Sequence, residues 1–284
     1  MIEKDITSWE EFKAALTEEI TEDTTYNIKN DLDASNDILT KNIECMGVGG
    51  AINKIFKRNG YKINAITAYG EVTIFHFDSI KMYFYRFYDI KFTNFMLDSG
   101  TFSNMGRPPI DPTNLFVNCF FNGVCRNFTP ETIGQYAISF NKCSFNVRCE
   151  AFANDRSTFN SCYIITTPLQ DTNFFSGSIV TDCYIEGTIT SEPTTSTSSY
   201  ITPNFEGNNV FNCKVIVKNY VDSRTYYLNP SGKAVLLNKN KLVQKDGITP
   251  IKNIADAENI YLLTDEQMKN KDYIQQNTKF PLYG

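Results

Sequence analysis

With 284 residues, 42% of them hydrophobic and 14% aromatic, the chain can bury a substantial core and has the length of one large domain or two ordinary ones. A formal charge of -5 without any block of Lys or Arg excludes the footprint of a phosphate-backbone binder, so no nucleic-acid partner is expected. No stretch reaches the roughly 18 apolar residues of a membrane span, so no membrane insertion is expected either.

The N-terminus "MIEKDITSWEEF" lacks the apolar core of an export signal, which predicts synthesis in a cytosol that keeps thiols reduced. Within "SWEEFKAALTEEI", Ser8 and Glu11 have the spacing of a capping box, and Trp9, Phe12, Leu16 and Ile20 fall on one helical stripe. Residues 1–22 are therefore predicted as a capping helix. Gly47, Gly49 and Gly50 in "CMGVGG" lack the Lys and Ser/Thr of a phosphate loop and read as a turn. In "IFHFDSIKMYFYRFYDIKF", alternation sets Ile80, Met82 and Phe84 on one face and Lys81, Tyr83 and Tyr85 on the other. With the first face inside, Tyr83 and Tyr85 stand outward as flat surfaces for a sugar ring or a protein neighbour; the alternative packs them under a loop.

A pattern of apolar-x-x-Cys-x-apolar then recurs at Phe116/Cys119/Phe121, Phe140/Cys143/Phe145, Phe159/Cys162/Ile164, Val180/Cys183/Ile185 and Val210/Cys213/Val215. It extends backwards with isoleucine in the cysteine slot at Ile90, Ile66 and Ile43, giving eight units at irregular intervals of 19 to 30 residues. Apolar residues at the slot and two beyond it have strand periodicity, and the flanks are rich in strand formers. The apolar residue three before the slot has the wrong parity for one straight strand, so the chain bends between them. Asn118, Asn141, Asn160, Asp182 and Asn212 are read as occupying that bend, where left-handed backbone suits Asn and Asp.

Strand, corner and strand repeated in this way predict an all-β, single-stranded parallel β-helix of about eight or more coils over 23–228, with the slot residues stacked inward. Two interruptions, 99–114 and 191–209, are rich in Pro, Gly, Ser and Thr and read as projecting loops, where binding often resides. Tyr200, in the second, joins Tyr83 and Tyr85 as a candidate for glycan or partner contact. Residues 229–284 read as short strands with turns at Gly232 and Gly247, then a helix with a capping box at Thr264 and Gln267. This C-terminal cap doubles as a candidate attachment region.

Chemistry is sparse. Eight cysteines without paired C-x-x-C spacings, and one histidine, point to no metal site and no cofactor. A glycosidase needs two carboxyl groups about 5 to 9.5 Å apart. Asp78 and Asp89 are half a coil apart, Asp155 and Asp171 precede different corners, and Glu131 and Glu150 have no partner in register. His76 has no nucleophile beside it in the pattern, and Cys143 sits in a slot predicted to be buried. No catalytic residue is assigned.

"SWEEFKAAL", "NDLDASNDIL", "RNGYKINAI", "FNCKVIV" and the closing "LTDEQMKNKDYIQQNTKFPLY" together resemble right-handed parallel β-helix proteins encoded in tail modules of phages and prophages of Gram-positive, clostridial-type bacteria. The similarity spans nearly the whole chain as an arrangement. It implies a non-enzymatic tail fibre, tailspike or baseplate-peripheral protein of the virion, assembled in the host cytoplasm. The implied partners are other tail or baseplate proteins and a host surface polysaccharide. Related spikes are often homotrimers. A polysaccharide-degrading tailspike and a bacterial adhesin of the same fold are the alternatives.

Overall fold

The computed structural model describes residues 1–45, 52–58, 61–70, 72–78, 84–100, 102–105, 114–128, 138–152, 157–169, 175, 178–191, 204–217, 235–252 and 260–280. Tyr83, Tyr200, Asp155, Asp171, Glu131, Gly47, Gly49, Gly50 and Gly232 lie outside these residues.

The fold is mostly β, and every pairing between its described strands is parallel, the pattern expected when successive repeats lay equivalent strands side by side. Nine strands form the first sheet in chain order, from Ile2–Ile6 and Thr24–Ile28 through Phe84–Tyr88 and Asn114–Val117 to Asn204–Glu206. The second sheet has thirteen, including Lys91–Gly100, Phe120–Asn127, Ser144–Ala151, Tyr163–Pro168, Tyr184–Ser191 and Val210–Val217. It continues through Val235–Asn238 to Ile260–Leu263. A third sheet joins Glu44–Cys45, Phe75–Asp78 and Phe102–Met105.

Registered columns of identical residues fill the interior. On the first sheet Phe56, Phe87, Phe116, Phe140 and Phe159 stack with ring centroids 5.0, 4.5, 5.3 and 5.0 Å apart. On the second, Phe92, Phe121 and Phe145 repeat the device at 5.0 and 5.3 Å. The two columns meet edge to face, as at Phe140 and Phe145 (83°), a geometry that matches ring edge to ring face.

The slot residues turn the corner between these sheets. Ile90, Cys119, Cys143, Cys162 and Cys183 are all buried and in register, as the repeat predicts. Three expected members stand elsewhere. Ile43 is level with Phe75 in the third sheet, Ile66 is level with Phe95, and Cys213 pairs with Gly187. The column's next member is instead Asn209, fully buried and level with Cys183 because Tyr184 pairs with Val210. Its corner, Gly207–Asn208, is one residue longer than the others, with Gly207 at φ 68° supplying the left-handed step, and that extra residue displaced the sequence frame. At the five other corners the left-handed residue immediately precedes the slot: Asp89, Asn118, Lys142, Ser161 and Asp182, at φ 53 to 56°. Asn141 and Asn160 end strands and Asn212 lies within one, so these three are not the bend residues.

Both predicted loops contain strands. Phe102–Met105 pairs with Phe75–Asp78, and Asn204–Glu206 with Ile179–Thr181. A strand also precedes the N-terminal helix, since Ile2–Ile6 pairs with Thr24–Ile28.

Helix α1, Trp9–Thr17, buries Trp9, Phe12, Ala15 and Leu16, and Phe12 meets Phe56 edge-on at 5.4 Å. Ser8 Oγ accepts the Glu11 N–H, while the Glu11 carboxylate reaches back to the N–H and hydroxyl of Thr7. At the other end, α2 (Asp265–Lys269) has both bonds of the capping box, and α3 (Lys271–Asn277) restarts from Asn270. Ile274 packs with Leu236 and Leu263, so these helices lie against the outward pleat of the second sheet. Leu262, in register with the inward Leu237, is 42% exposed, so α2 and α3 do not seal that column.

Candidate functional site

The strand Phe84–Tyr88 corrects one surface expectation. Tyr85 is fully buried and Phe84 half-exposed, the reverse of the predicted parity. The cause is α1, whose last carbonyls need donors. Lys54, paired with Tyr85 across the sheet and equally buried, donates its ammonium to the carbonyls of Ala15 (3.0 Å), Leu16 (3.1 Å) and Glu18. Tyr85 Oη donates to Leu16 O at 2.8 Å. Tyr85 therefore belongs to the helix docking and offers no surface to a ligand.

The outward surface is found one residue after each slot. A residue between an inward slot and an inward slot+2 must face solvent, and there the chain has Lys91, Phe120, Ser144, Tyr163 and Tyr184 in one registered row. Beside it runs the row of corner residues Asp89, Asn118, Lys142, Ser161 and Asp182. Between the two rows lie depressions of about 420 and 460 Å³, the first reaching from Arg58 and Lys91 past Phe120 to Ser144, the second from Lys142 to Tyr163 and Tyr184. Ser144 of the first and Lys142 of the second flank one slot, Cys143, so the two depressions follow one another along the stacking direction as a discontinuous groove. Sequence reasoning missed it although the signal was present, as "CFF", "CYI" and "CYI" after three of the slots.

Polar contacts hold the groove's walls. Tyr163 and Tyr184 stack at 5.2 Å and 10°, and both hydroxyls donate to the Glu186 carboxylate. The bond to Glu186 pushes the Tyr163 pKa up to about 12, so its phenol stays protonated at neutral pH. Asn212 donates to Tyr184 Oη at 3.0 Å. Asn118 donates to the Asp89 carboxylate at 2.6 Å, and the Asn208 N–H donates to that of Asp182 at 2.7 Å. Each carboxylate is thus engaged as an acceptor in the groove's framework.

The remaining chemical candidates are occupied as well. His76 faces Glu44 through Nε2 (3.6 Å) and Asn42 through Nδ1 (3.4 Å), and Glu150 accepts from Arg126 Nε at 3.2 Å. The slot thiols are buried. Cys119 Sγ donates to Phe87 O and Cys143 Sγ to Phe116 O, while burial and the neighbouring Cys143 push the Cys119 pKa well up. A thiol so placed is no nucleophile. Among the described residues no group of three or more His, Cys, Asp or Glu could hold a metal ion, and no helix is long and apolar enough to cross a membrane. What the groove offers is a linear surface with aromatic faces, amides and hydroxyls. Comparison with family models, with curated proteins and with solved structures finds no match to this chain.

Proposed function

We propose that this chain is a right-handed parallel β-helix serving as a non-enzymatic structural component of a phage tail or phage-like particle, with contacts to other tail proteins and to a host surface glycan. The observation that carries the reading is the line of depressions with exposed Tyr163 stacked on half-buried Tyr184, on a stack of registered strands. Aromatic faces flanked by amide and hydroxyl groups suit sugar rings, which present apolar faces and polar edges. A registered stack holds such platforms at fixed separations, so a polymer is bound without first ordering a loop.

The test is incubation with cell-envelope polysaccharide of Gram-positive bacteria, read both as co-sedimentation and as chain cleavage. Binding without new reducing ends or unsaturated uronate is expected, and Tyr163→Ser with Tyr184→Ser should weaken it at least tenfold. Cleavage products would overturn the non-enzymatic reading. Unchanged binding by the double variant would remove the groove from it.

A further inference from the structure

The first end of the groove differs from the rest in charge. Arg58 follows Lys57, the partner of Tyr88, and so stands level with Asp89 at the start of the corner row. It is half-buried, and its Nε is enclosed without a hydrogen-bond partner. Burial pulls its pKa down, with Asp31 and Asp89 offsetting this only in part. Lys91 lines the same depression, and neither cation enters an ion pair among the described residues. The acid nearest in the row, Asp89, already accepts from Asn118. A partly buried guanidinium with an enclosed, unpartnered N–H and no carboxylate within ion-pair distance is stabilised by an anion that completes its hydrogen bonding.

We propose that Arg58 and Lys91 form an anion subsite at one end of the groove, taking the carboxylate of an acidic glycan whose rings run past Phe120 toward Tyr163 and Tyr184. This rests on the glycan-binding reading above and narrows its ligand to a uronate-type polymer. The planar guanidinium matches a carboxylate through paired hydrogen bonds, and Lys91 adds a point charge beside it. Continuity with the aromatic row favours a carboxylate carried on a polymer over a free ion.

Titration of the full chain with polygalacturonate, alginate and hyaluronate, against neutral dextran, tests it. At least one uronate polymer is expected to bind tenfold or more tightly than dextran, with affinity falling as salt rises. Arg58→Met and Lys91→Gln should each weaken that polymer tenfold or more, a loss several times larger than any they cause for dextran. Lys91 is exposed, so Lys91→Gln keeps the test alive should Arg58→Met fail to fold. Equal affinity for dextran, or unchanged uronate binding in Lys91→Gln, would overturn the subsite while sparing glycan binding. Binding of no polymer in the panel and no envelope polysaccharide would overturn both.

Discussion

At the corner slot Ile90 is simply apolar and buried, whereas the thiols and Asn209 hydrogen-bond as well. Each of the four slot thiols donates to the carbonyl three residues before the slot of the preceding repeat: Cys119 to Phe87, Cys143 to Phe116, Cys162 to Phe140 and Cys183 to Phe159. Cys143 and Cys183 also accept the N–H of the preceding slot, from Cys119 and Cys162, at 3.4 Å. Asn209 reproduces the arrangement with an amide: Oδ1 accepts from Cys183 N at 2.9 Å, and Nδ2 donates to Val180 O at 3.0 Å and Glu206 O at 2.7 Å. Thiol and amide therefore serve one purpose, which an apolar pattern could not reveal. Asn209→Ala is expected to lower unfolding stability by about 2–4 kcal/mol, through loss of the partner to the buried Cys183 N–H and Val180 carbonyl. Asn209→Cys should cost only about 1 kcal/mol, since a thiol makes the same bonds more weakly. Urea midpoints would decide it, and a cysteine variant no better than the alanine one would show the slot to be merely a matter of volume.

Among the elements, α1 shows most plainly what a sequence hides. Its stripe and its N-cap were legible because both are local; its C-terminal end is completed by Lys54 and Tyr85, from strands 38 and 69 residues beyond Leu16. The inversion of parity at Tyr85 follows from that distant demand for donors, as does the burial of a lysine. The sheets were legible for the converse reason: a repeated column writes its register into neighbouring stretches of chain, until a corner one residue longer, at Gly207–Asn208, moves the frame. Burial lowers the Lys54 pKa to about 8, from an ordinary value of 10.5. The folded state thus loses this proton first, and between about pH 8 and 10.5 the unfolded chain holds more protons. The contribution of Lys54 to stability should rise with pH across that window, by at most about 3 kcal/mol. Urea unfolding of the native chain and of Lys54→Met, compared from pH 7 to 10.5, checks this: the difference should widen in favour of the native chain, and a flat difference would refute the shift.

For the whole molecule, stability in a registered stack is a sum over layers and the contacts between neighbours. Removal of residues 143–161 joins Lys142 to Cys162, a left-handed corner to a slot, and so takes out one complete period. The shortened chain is expected to keep a β-type circular dichroism spectrum with a lower melting temperature. Removal of 143–160, one residue fewer, leaves Lys142 and Ser161 in succession before the slot, a corner of the length that Gly207–Asn208 occupies, and without a glycine there it should fold less well. Loss of β signal in the whole-period deletion would show that the layers are not equivalent.

The longer corner at Gly207–Asn208 also bears on how such a chain can arise. Phe205 remains opposite Val180 on one side of it, and Val210 opposite Tyr184 on the other, so the insertion leaves both flanking registers intact. Copying errors of a single codon at a corner are absorbed where they occur, while the same error within a strand would turn every later side chain to the wrong face. Gene duplication can therefore lengthen the stack a period at a time, and the corners are where the copies are free to drift apart.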